Sequence, residues 1–180
     1  MRHMHSQWQK IAPAALLAFL VSSSAHAQIG MRGSTGTDWK AFSIPEFGTS
    51  VQYPAGIFSV SEGQSETGRG ERLATADGRA SLSIYAQVND NADTPRSYLH
   101  RHLRFPQSAL EYQRVTNSFF AISAVTNDTI YYSRCNFSVG AVGTIHCFDI
   151  VYPQSEKRAW DGVVTRISRS LRPLQGAASS

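Results

Sequence analysis

The chain has 180 residues, 17 of them Lys or Arg and 13 Asp or Glu, with 42% hydrophobic residues. Its first 27 residues hold Arg2 and Lys10 and no acid, so the rest of the chain carries a net charge of only +2. That balance lacks the concentrated Lys and Arg that nucleic-acid binding uses, while the length suits one domain with a sizeable core.

Residues 1–27 read as a secretory signal peptide. Arg2 and Lys10 precede the apolar run Ile11 to Val21, and Ala25-His26-Ala27 forms a small-x-small cleavage site between Ala27 and Gln28. The apolar run is too short for the roughly 20 residues that span a bilayer. No cysteine sits at the cleavage site, and no later run is long enough to cross a membrane. The expectation is a periplasmic or secreted protein without a lipid anchor. Residues 28–37 read as a flexible leader, 38–174 as one domain, and 175–180 as an unstructured tail.

Strand signals dominate the domain. Trp39 to Ile44, Val51 to Tyr53 and Ile57 to Ser61 come first. The polar stretch Glu62 to Glu71 reads as a mobile loop, and its Gly68-Arg69-Gly70 completes neither phosphate-binding glycine motif. Arg72 to Ala76 and Arg79 to Val88 flank Asp77-Gly78, a strong hairpin signal. Four further strands follow: Leu110 to Thr116, Phe119 to Val125, Thr129 to Phe137 and Thr144 to Tyr152.

Two helices are predicted. Thr94 caps the first, with Pro95 at its first position and Pro106 as its stop. The second starts at a Ser155 cap. Its residues Trp160, Val163, Val164, Ile167 and Leu171 form one apolar stripe.

Cys135 and Cys147 form an even pair in an exported chain, which favours a disulfide. With Cys135 opposite Cys147, Ser133 meets Asp149 and Tyr131 meets Val151. Both faces of that hairpin are then largely apolar and both need cover. The fold class is α+β, an antiparallel sheet covered by helices or loops on both faces.

This order of elements resembles the PsbP-like fold, on three segments. They are Val51-Gln52-Tyr53-Pro54-Ala55-Gly56-Ile57-Phe58, the mid-chain helix at Ser97 to Leu103, and Phe148 to Tyr152 followed by a helix ending Ile167-Ser168-Arg169-Ser170-Leu171. The resemblance implies an α/β/α sandwich. It carries over no catalytic residues and favours a binding or assembly role.

Recognisable catalytic and cofactor motifs are missing from the sequence, and no cofactor is expected. His100 and His102 stand about 200° apart on a helix and cannot grip one ion. Asp149 lies among apolar neighbours and needs a partner, for which Ser133 is the first candidate; Arg134 is expected to pair with an acid. Arg101 and Arg104 on the first helix, with Arg166, Arg169 and Arg172 on the last, would form an anion patch if the helices lay together. Asn127-Asp128-Thr129 and Asn136-Phe137-Ser138 match glycosylation triplets but are discounted. The leading expectation is a non-catalytic binding or assembly protein of the cell envelope, its partner another envelope protein or a small ligand. The alternatives are a small hydrolase-like enzyme using Asp149, His146 and Ser133, and a stress-response accessory. In the paired register His146 faces away from Asp149.

Overall fold

The computed structural model describes residues 38–138 and 143–173. The expected signal peptide with its Ala27–Gln28 junction, the 28–37 leader and the 175–180 tail lie outside the described residues.

Strands β1 (Trp39–Ile44) and β2 (Thr49–Pro54) pair antiparallel. Then come β3 (Phe58–Gln64), β4 (Arg69–Thr75), β5 (Ser81–Val88) and helix α1 (Pro95–His102). The second half holds β6 (Leu110–Val115), β7 (Phe119–Thr126), β8 (Thr129–Phe137), β9 (Thr144–Pro153), helix α2 (Lys157–Ser170) and the short β10 (Arg172–Pro173). Seven strands form one antiparallel sheet in the order β3-β4-β5-β9-β8-β7-β6, and β1-β2-β10 form a second, smaller sheet.

The predicted register of the central hairpin is the observed one. Cys135 faces Cys147 and their sulfurs are bonded, with Ser133 opposite Asp149 and Tyr131 opposite Val151. Period-two alternation sends Leu82, Ile84, Ile130, Phe148 and Ile150 to one face of the large sheet. Trp160, Val164 and Ile167 of α2 pack there, with Val51 of the small sheet beside them. The other face collects Tyr85, Phe120, Ile122, Cys135 and Cys147 under Tyr98 and Leu99 of α1. Both faces are covered, so the architecture is α+β and layered.

Local signals explain most boundaries. Gly78 takes a left-handed φ of 67° in the β4–β5 turn, where Thr75 donates to Asp77 at 2.6 Å. Thr94 caps α1 reciprocally with Ser97. Helix α1 stops at His102, short of Pro106, because the backbone is already extended at Leu103.

Three expectations are corrected. Glu62 to Glu71 is no mobile loop: it is the tip of the β3–β4 hairpin, with only a tight turn around residues 65–68. Its polarity reflects an edge strand with little cover, where Arg72 pairs with Glu62 at 2.6 Å. Ser155 does not cap α2; Gln154–Glu156 form a 3-10 turn, and Glu156 at the cap position accepts from the Trp160 indole instead. Arg134 finds no acid among the described residues. It donates to Asn136 and Ser168 and lies 4.3 Å over the Phe119 ring, because the face it occupies offers hydroxyls, amides and rings.

Candidate functional site

Helix α1 has only eight residues, a length of about 12 Å, and cannot span the face of a seven-stranded sheet. Where it ends, a cavity of about 280 Å³ remains. Its floor is built from cross-strand rows on β5, β9 and β8. One row is Ser83, Asp149 and Ser133, and the next is Ser81, Val151 and Tyr131. The row on the other side carries Tyr85 and the disulfide, which ties β8 to β9 beside the polar row. The roof comes from Tyr98 and His102 of α1 and the following Arg104 and Phe105. The β3–β4 turn closes one side with Glu66 and Thr67, and β4 adds Arg72.

Asp149 is the unusual group. Tyr85 donates to its Oδ2 at 3.2 Å, whereas its Oδ1 is buried and has no hydrogen-bond partner among the described residues. Burial raises its carboxyl above the ordinary range. The hydroxyls of Ser133, Tyr131 and Tyr85 oppose that rise, as does the Arg104 charge more weakly, but only the Tyr85 contact has full hydrogen-bond geometry. The same burial, with the Asp149 charge nearby, pushes the Tyr85 and Tyr131 phenols well above theirs, so both remain neutral donors.

The rim is aromatic and mixed in charge. His102 stacks on Tyr98 with centroids 4.2 Å apart, and Phe105 sits 4.9 Å from Tyr131. Burial, then the Arg101 and Arg104 charges, lower the basicity of His102. Arg72 is held by Glu62 and, at 3.6 Å, by Glu66. An aromatic, semi-enclosed cavity with a few convergent polar groups and a shifted carboxyl has the character of a ligand pocket.

The residues singled out from the sequence divide between the two faces. Asp149 and Ser133 come together on the cavity floor. His146 lies on the opposite face, fully buried, with Nδ1 2.7 Å from Thr49 Oγ1 and Nε2 unpartnered. The five arginines do not meet either, and Arg104 lies past the end of α1 and Arg172 in β10. Arg101 pairs with Asp93 on the α1 side, whereas Arg166 and Arg169 belong to α2, with Arg166 stacked 4.1 Å over Trp39. No anion patch joins them. Of the cavity residues, Ser83, Tyr85, Tyr98 and Phe105 were not read as functional. Alternation in β5 puts Ser83 and Tyr85 on one face, but nothing in the sequence pairs β5 with β9 and so brings them beside Asp149.

Structural comparison decides the fold. The solution structure of cyanobacterial PsbP from Synechocystis sp. PCC 6803 superposes with a TM-score of 0.55, over 81% of this chain and 98% of that one. The fold is PsbP-like. At 12% identity the likeness is one of fold alone. No protein-family model and no curated protein matches the sequence. In this PsbP-like fold the cavity lies on the α1 face, opposite the face covered by α2 and the small sheet. Among the described residues, no helix is long and apolar enough to cross a membrane.

Proposed function

We propose that the protein is a binding protein of the cell envelope that holds a small ligand in the cavity over Asp149 and does not transform it. The observation that carries this reading is the semi-enclosed, aromatic-lined cavity of about 280 Å³, whose floor sets Asp149 between Ser83 and Ser133. The signal pattern of residues 1–27 and the Cys135–Cys147 disulfide support export to the periplasm or beyond.

Three alternatives fit less well. A hydrolase using Asp149, Ser133 and His146 loses its base, because the imidazole is on the other side of the sheet and bonded to Thr49. Docking of a partner strand is disfavoured at both sheet edges, where β3 and β6 carry bulges and charged side chains. A stress-response role exercised through the fold alone leaves the cavity without a use.

Native mass spectrometry on protein purified from its own envelope extract tests the reading, with Ser83→Met as a variant that fills the cavity. A small molecule retained by the wild type and released by the variant supports it. If both forms are empty after exposure to the extract, the reading fails. The same spectra check export, since cleavage at Ala27 gives a chain starting at Gln28 with two thiols alkylated only after reduction.

A further inference from the structure

We propose that the large sheet carries a binding site for a phosphate group at its β6–β7–β8 end, between the guanidiniums of Arg114 and Arg134. The site lies on the other side of the sheet from the cavity and does not depend on it. Strand register builds it. Arg114 of β6 and Arg134 of β8 both stand opposite Ala121 of β7, so all three side chains leave the sheet on one face. The bond from Arg134 to Ser168 identifies that face as the α2 side. Two strand spacings, about 10 Å, separate the two arginine backbones. Ala121 is too short to hold the arginine side chains apart, and at 2% exposure it lies buried beneath its neighbours. Both guanidiniums come to the same Phe119 ring, Arg134 at 4.3 Å from its centroid and Arg114 at 5.4 Å.

Two cations thus share one ring with no carboxylate to answer them. All 13 Asp and Glu of the chain fall within the described residues, and none of them forms an ion pair with either arginine. Burial lowers the pKa of Arg134, the Tyr132 and Tyr112 phenols oppose that, and the Arg114 cation adds to it. The Phe119 ring attracts both cations but carries no net charge. The nearby end of α2 offers about half a negative charge. The pair keeps an excess of positive charge that a bound anion would relieve. Its donors suit phosphate better than a carboxylate. Arg134 spends one N–H on Asn136 and one on Ser168, which leaves three of its five. Arg114 is exposed, and Tyr112, its neighbour on the same face of β6, is 45% exposed. A carboxylate saturates one guanidinium fork, whereas a phosphate has the oxygens and the charge to bridge two.

Calorimetric titration of the protein at low ionic strength tests the proposal, with inorganic phosphate and acetate as probes. Phosphate is expected to bind at least about tenfold more tightly than acetate, and Arg114→Gln to weaken phosphate by at least about tenfold. Because Arg114 is exposed, that variant should fold as the wild type does. Arg134→Lys keeps the charge but loses the fork, and should also weaken phosphate. Arg158→Gln, about 15 Å along α2 from Ser168, removes the same charge elsewhere and should leave the affinity unchanged. Cosedimentation with phosphatidylcholine vesicles, with and without phosphatidic acid, separates the sources of the phosphate group. Capture by phosphatidic acid that inorganic phosphate competes away marks a lipid headgroup; phosphate binding without capture marks a soluble phosphate. Absence of phosphate binding at millimolar concentrations overturns the proposal. So does an affinity for acetate equal to that for phosphate, or a phosphate affinity unchanged in Arg114→Gln. An equal loss in Arg114→Gln and Arg158→Gln reduces the effect to net charge and overturns it as well.

Discussion

Asp149→Asn is expected to make the protein more stable at neutral pH. The carboxylate's position is costly, because its Oδ1 is sealed from water and has no hydrogen-bond partner among the described residues. An unsatisfied buried acceptor costs about 1–3 kcal/mol. Exchange for an amide removes the charge, and the new N–H groups can donate to the Ser133 and Tyr131 hydroxyls beside it. Against that gain, the Tyr85 bond at 3.2 Å loses its charge assistance, returning about 1 kcal/mol. The net gain is about 1 kcal/mol, or about 2–4 °C in Tm for a chain of this size. Its pH dependence has a definite sign. Burial raises the folded-state pKa, so the folded state holds the proton more tightly than the unfolded one. The wild type therefore loses stability as pH rises from about 4, the unfolded value, through the native one. The advantage of Asp149→Asn grows over that window and vanishes below it. Thermal unfolding of both proteins followed by circular dichroism from pH 4 to 8 reads the difference directly. A variant less stable at pH 8, or a Tm gap that does not change with pH, would refute the argument.

Three further outcomes are expected. Replacing Cys135 and Cys147 together by Ala should lower stability by about 3 kcal/mol on the chain-entropy model, measured by urea unfolding with the reduced wild type as control. Trp160→Ala, which empties a fully buried site stacked on Tyr152 and beside Phe58, should cost about 3–5 kcal/mol in the same assay. His146 is buried and its basicity is lowered, so the unfolded state takes up its proton first as pH falls below about 6.5. The wild type should then lose stability on acidification relative to His146→Gln, and comparing the two cancels the opposite trend from Asp149. A constant difference between pH 7.5 and 5.5 would show that His146 does not titrate in this window.

Much of the fold was legible because its signals are local. Period-two alternation and the cysteine pair settle the register of β8 and β9, down to Ser133 opposite Asp149. Asp77-Gly78 and Thr94-Pro95 mark a turn and a helix start within a few residues of their chemistry. What the sequence concealed is non-local. Alternation says that Ser81, Ser83 and Tyr85 share a face, but not what lies over it. The same limit applies to the arginines, since the periodicity of each helix is visible while the side of the sheet it packs on is not. Arg134 looked like half of an ion pair because its register partner Phe148 and its neighbours in sequence say nothing of Ser168, which arrives from α2. The hairpin at Glu62 to Glu71 was missed for a different reason. An edge strand with both faces exposed has no hydrophobic period to show.

The two faces of the large sheet divide dense packing and open space between them. On one, Trp160, Val164 and Ile167 of α2 reach apolar residues of β5, β8 and β9, and the small sheet seals the side. Beneath α2 that face leaves little to a ligand, and its buried polar pair, His146 and Thr49, is turned inward. On the other, a helix of eight residues meets a sheet too wide for it, and the uncovered rows carry Ser83, Asp149 and Ser133 instead of a continuous core. Apolar residues at those positions would have closed the gap around the Ser83 row with further burial. A carboxylate there costs stability, and the disulfide one row away restores rigidity where packing is missing. The expected opposite signs of Trp160→Ala and Asp149→Asn follow from this division: one removes part of what holds the fold, and the other removes what the fold holds open.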